Sequence, residues 1–100
     1  MNISIEHLRL LAQAAGFPDP NLAAAIAMAE SSGNELAVGD SGQSFGLWQV
    51  HHPSHPEFEP PLLLTAWYAA QAALRISKSG TNWQPWTTFR SGAYKQYMPQ

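Results

Sequence analysis

The 100-residue chain has no cysteine, and only 12% of its residues are charged. The absence of cysteine excludes a disulfide framework and thiol chemistry, and leaves the redox compartment open. Five basic residues without a basic run, and a formal net charge of −2, do not make the electrostatic footprint of a nucleic-acid binder. No apolar run approaches the roughly 18 residues needed to span a bilayer. The first residues, MNISIEHLRLLAQAAG, lack the basic start and long apolar stretch of a signal peptide. If the substrate lies outside the cytoplasm, something else is expected to carry the protein there.

What remains is apolar and aromatic. Hydrophobic residues make up 45% of the chain, which predicts a globular fold and not disorder. The length suits one domain, residues 1–100, with an adequate core. Four Trp, three Tyr and four Phe are many for so small a core, so some rings are expected to line a groove.

Local signals divide the chain into mainly helical segments. Ser4 is placed to cap a helix over 4–15, with Ile5, Leu8, Leu11, Ala12 and Ala15 on one face and Gly16 as its stop. After FPDP, Asp19 caps a second helix over about 20–32, with Pro20 at its first position. Leu22, Ala25, Ile26 and Ala29 form its inner face, and Gly33-Asn34 ends it. Residues 33–46 hold four of the seven glycines and read as an irregular loop or small hairpin. FGLWQV is a short apolar element, followed by a Pro- and His-rich loop over 51–61. A third helix is predicted over 61–78, a short one over 84–90, and a turn near 93–97.

Glu30 is a single acid at the end of the alanine-rich second helix. There the helix dipole disfavours negative charge, and any desolvation by aromatic neighbours adds to this, so both effects raise its pKa. A carboxylic acid that stays protonated near neutral pH is what general-acid cleavage of a glycosidic bond requires. The alternative is a solvated edge residue, and the neighbouring motifs decide between the two.

Ten residues on comes Asp40 in VGDSGQ, then Ser44-Phe45-Gly46-Leu47-Trp48-Gln49. With Glu30-Ser31 in front, this order and spacing resembles the lysozyme-like superfamily: goose-type lysozymes, soluble lytic transglycosylases and the lysozyme-like domains of phage tail proteins. The tail GTNWQPWTTFRSGAY looks like the closing segment of the phage domains, so the resemblance runs from about Pro20 to Tyr97. It implies a mainly α, minimal lysozyme-like fold whose glycine-rich loop or small hairpin lines a cleft. It further implies cleavage of the β-1,4 bond between N-acetylmuramic acid and N-acetylglucosamine, with Glu30 as the acid. Ser31, Ser44, Gly46, Leu47, Trp48 and Gln49 become expected substrate contacts, as do His51, Phe89 and Tyr94.

The residue chemistry agrees with that assignment. Gly46 allows close backbone approach to a sugar ring, and Gln49 offers both donor and acceptor. Trp48, Trp83 and Trp86 have faces suited to stacking on pyranose rings, with core packing as the other reading. Trp48, inside the motif, is expected in the groove.

In the goose-type pattern an Asp stands at the position of Asp40 and another where this chain has His51. By resemblance these acids position the water of an inverting hydrolysis, whereas lytic transglycosylases use the muramyl 6-hydroxyl and form 1,6-anhydro products. Asp40 favours hydrolysis, and His51 weakens that preference. Many lytic transglycosylases carry Ala-Tyr-Asn-x-Gly where this chain reads TTFRSG, so Phe89 brings no hydroxyl. Either Tyr94 or Tyr97 supplies the contact, or the enzyme does without it.

HHPSHPE contains His51, His52, His55 and Glu57, but its spacing matches no zinc helix. A loop beside the groove is the expectation, with no metal and no cofactor. The expected partner is peptidoglycan, acted on at the cell wall by a monomer delivered by a phage virion or lysis system, with other tail or lysis proteins as further candidate partners. A glycan-binding module without turnover and a structural phage-tail domain are the two rival readings.

Overall fold

The computed structural model describes residues 2–99. Helix α1 spans Ile5–Ala15: Ser4 Oγ accepts from the His7 amide, and Gly16 closes the helix at φ 102°. Helix α2 spans Pro20–Ser31, with Asp19 accepting from the Leu22 amide. Its end falls one residue earlier than expected, because Ser32 itself takes the left-handed cap conformation at φ 56°.

Ala23 to Ala27 are all fully buried, so α2 is covered all round and not on one face as its periodicity suggested. Helices that are apolar on every side lie in the interior. Helix α1 packs on one side of α2, and a 3-10 turn over Ala93–Tyr97 packs on another. Small side chains let these elements approach closely, and the rings that fill the remaining space come from the connections. Phe17 stacks between Trp48 and Trp83, with ring centroids 6.0 and 5.6 Å away. Trp83 meets Trp86 at 4.8 Å.

The glycine-rich segment forms an antiparallel three-stranded sheet of β1 (Val38–Gly39), β2 (Ser44–Phe45) and β3 (Val50–His51). Ser44 pairs with Gly39 on one side and with His51 on the other. Directly paired residues share a face of the sheet, so Ser44 and His51 point the same way.

The third predicted helix is two helices, α3 (Pro60–Leu63) and α4 (Ala66–Ile76). Thr65 is extended at φ −110°, ψ 137° and breaks the run. Its hydroxyl donates to the Leu62 carbonyl at 2.6 Å, leaving the start of α4 to another partner. That partner is Glu35, whose Oε2 accepts from the Ala66 amide at 3.2 Å. Helix α5 (Thr87–Arg90) completes the fold. The result is the expected mainly α fold, with a small sheet flanking the end of α2.

Candidate active site

A cleft of about 460 Å³ opens where the end of α2, the sheet and the Pro85–Thr87 segment meet. Glu30 lines it from the last turn of α2, and Asp40, Ser44, Gln49 and His51 line it from the sheet. Ser54, His55 and Trp86 also contribute to the wall.

Glu30 is half-buried. Burial pushes its carboxyl pKa above the ordinary 4.5, and the nearby negative charge of Asp40 pushes the same way. A hydrogen bond from Thr88 opposes both, with Thr88 Oγ1 donating to Glu30 Oε2 at 2.8 Å. Among the described residues Arg9 Nε is the one buried side-chain polar atom without a partner. No hydrogen bond from a described residue reaches Glu30 Oε1, and that atom is not fully buried.

Asp40 begins a run of three left-handed residues, Asp40, Ser41 and Gly42, at φ 51°, 55° and 87°. Asp tolerates this region better than most side chains. The tight 3-10 turn over Asp40–Gly42 brings the carboxylate back over β2, where Ser44 Oγ donates to Asp40 Oδ2 at 2.6 Å. Oδ1 is left for another partner. On the same face, His51 Nδ1 and Ser54 Oγ are 2.8 Å apart.

Several expected substrate contacts lie elsewhere. Trp48 is fully buried, its indole N–H donating to the Ala23 carbonyl at 3.0 Å. Its place is the core, because α2 needs a large partner along its alanine surface. Leu47 is fully buried beside it. Ser31 turns its hydroxyl back to the Ala27 carbonyl at 2.9 Å. Gly46 meets protein backbone: at φ 84° an added Cβ would overlap the Leu63 carbonyl of α3. Phe89 and Tyr94 stack on each other at 5.3 Å and 17°, outside the cleft walls.

Trp83 belongs to the core, and Trp86 is mostly buried with its N–H donating to the Trp48 carbonyl at 2.9 Å. Gln49 does reach the cleft, but its two amide hydrogens are already used. They donate to the Ala37 and Gly46 carbonyls, both at 3.0 Å.

Thr88 is the hydrogen-bond partner of Glu30 that sequence reasoning missed. The relevant signal was a hydroxyl in TTFRSG, one residue before the Phe89 position to which the resemblance drew attention. Among the described residues no three His, Asp or Glu side chains converge to hold a metal ion.

A carboxylic acid with a raised pKa and a second carboxylate thus line one cleft, the pair of groups that acid–base cleavage of a glycosidic bond uses. No curated protein and no solved structure matches the chain. A family model described as a lysozyme-like domain matches residues 9–88, a stretch that holds both Glu30 and Asp40 and ends at Thr88. The chain therefore belongs to the lysozyme-like domain family, whose members generally act on peptidoglycan.

Proposed function

We propose that the protein is a muramidase that hydrolyses the β-1,4 bond between N-acetylmuramic acid and N-acetylglucosamine. The observation that carries this reading is the environment of Glu30: it lines the cleft, burial and Asp40 raise its pKa, and its second oxygen takes no hydrogen bond from the described residues and is not fully buried. Glu30 gives that proton to the glycosidic oxygen as the bond to the anomeric carbon breaks. Asp40 holds a water on the opposite face through Oδ1, while Ser44 fixes Oδ2. The water adds to the anomeric carbon, loses a proton to Asp40, and leaves a reducing end of inverted configuration. Residues 1–100 act as one catalytic domain on glycan strands of the wall, with phage delivery as the route there.

Mass spectrometry of digested sacculi tests activity and product type together. Wild type is expected to release reducing muropeptides. Glu30→Gln is expected to lose about 10²–10⁴-fold in rate, the usual share of a general acid. Release of 1,6-anhydro products, with near-normal rates for Asp40→Asn, would move the protein to the lytic transglycosylases. A folded wild type with no turnover would leave the glycan-binding reading.

A further inference from the structure

A second hollow, of about 260 Å³, adjoins the cleft, and His55 and Ile76 wall both. Its remaining walls are Glu57 and Phe58 from the loop before α3, and Arg75 and Lys78 from the end of α4. Two of the five basic residues of a chain with net charge −2 thus meet at one end of the cleft.

The hollow has built-in rigidity. The Arg75 guanidinium carbon lies 5.3 Å from the centre of the Phe58 ring, an arrangement in which the ring quadrupole attracts the cation. Phe58 is buried and braced edge-on by Tyr68 at 6.3 Å. A ring face satisfies none of the five guanidinium N–H groups in its plane, so that fork stays open to an acceptor. Lys78 stands in the left-handed turn that ends α4, at φ 54°. Glu57 is the one acid in the wall, and it limits the positive excess there.

Both basic side chains also complement the carbonyl end of α4. That role accounts neither for the Phe58 platform nor for a hollow that shares His55 and Ile76 with the cleft lined by Glu30 and Asp40.

We propose that this hollow is a subsite for a carboxylate of the peptide borne by muramic acid, making peptide-bearing strands the preferred substrate over bare ones. The proposal rests on the peptidoglycan reading above and specifies its substrate class. In peptidoglycan the peptide hangs from the lactyl group of muramic acid, so one stem always adjoins the bond to be cut. A guanidinium fork matches a carboxylate with two parallel hydrogen bonds, and Lys78 adds a point charge.

Binding measured by calorimetry tests this in a Glu30→Gln background, which preserves the ligand. Two soluble probes are compared: a muramyl–glucosaminyl oligosaccharide with its peptides, and the same chain after cleavage at the lactyl amide. Cleavage turns the lactyl amide into a carboxylate, so the stripped chain still carries one negative charge on each muramic acid. Tighter binding of the other probe therefore reports carboxylates placed along the peptide and not charge alone. The peptide-bearing probe is expected to bind about tenfold tighter, as one or two charge-assisted hydrogen bonds allow. Arg75→Gln combined with Lys78→Gln should bring the ratio of the two affinities close to one, and Glu57→Gln should widen it.

Equal affinities in the parent overturn the proposal, as does an unaltered ratio in the double variant, or no binding of either probe. A lower melting temperature with the ratio preserved would identify a helix-end role alone and overturn it too. Turnover by wild type on the same probes reports separately on the muramidase reading. A preserved affinity ratio without released reducing ends would defeat that reading and keep the subsite.

Discussion

At Glu30 opposing influences set the proton affinity, and each belongs to a named side chain. Asp40 raises the pKa, so Asp40→Asn removes a like charge and should lower it. Thr88 donates to the ionised form, so Thr88→Val should raise it. Activity that needs the protonated acid is lost as pH rises through this pKa. The alkaline limb of the rate profile should therefore move to lower pH in Asp40→Asn and to higher pH in Thr88→Val. Movement of both limbs in one direction would contradict the arrangement.

Gln49 and Trp48 are also tested at this scale. Gln49→Ala removes two hydrogen bonds, to the Ala37 and Gly46 carbonyls, which keep the Gly46 and Gln49 amides as donors. It should cost about 1–3 kcal/mol in denaturant unfolding, the usual net worth of two such bonds. Trp48→Ala should cost about 3–5 kcal/mol, the usual range for a buried aromatic ring. A stable Trp48→Ala protein with weakened sugar binding would return that ring to the groove.

Among the elements, the break between α3 and α4 depends on one long-range cap. Glu35 reaches the Ala66 amide from 31 residues away, and an acid at a helix N-terminus also meets the positive end of the dipole. Glu35→Ala should destabilise the protein by about 0.5–2 kcal/mol, as loss of a helix cap usually does. Hydrogen exchange should show the loss concentrated in the first turn of α4. Gly46 locks the sheet against α3 in the same structural sense. Gly46→Ala adds a methyl where the Leu63 carbonyl stands, at a φ that side chains rarely adopt. It should lower stability and distort the cleft together, visible as a lower Tm and a higher KM in one variant.

For the whole molecule, the burial of Glu30 costs stability wherever its carboxyl is ionised. Glu30 has a higher pKa folded than unfolded, so the native state binds the proton more tightly. Stability from this group is complete below the ordinary pKa of 4.5 and declines as pH rises through the folded value. Glu30→Gln, neutral throughout, should therefore melt higher than wild type at neutral pH. The two curves should converge below about pH 4.5, where both side chains are uncharged. A constant difference across the pH range would mean that the ionised carboxylate carries no folding penalty.

The sequence by itself determined whatever is settled within a few residues. Ser4, Gly16, Asp19 and Pro20 set the ends of α1 and the start of α2, because caps act on amides three or four positions away. That local logic also placed Glu30 in the last turn of a helix and the short α5 within 84–90. The order of Glu30, Asp40, Ser44 and Gln49 pointed to the cleft before any fold was known.

Tertiary structure alone decided which members of that motif face solvent. Trp48 and Leu47 belong to the interior because α2 is covered on every side, a property of three packed elements and not of the motif. Only the folded chain could pair Thr88 with Glu30 across 58 residues, or assign Glu35 to the start of α4. Capping and turn chemistry are local and additive enough to read along a chain. Burial and hydrogen-bond partnership are shared among all neighbours at once, so they exist only when the neighbours do.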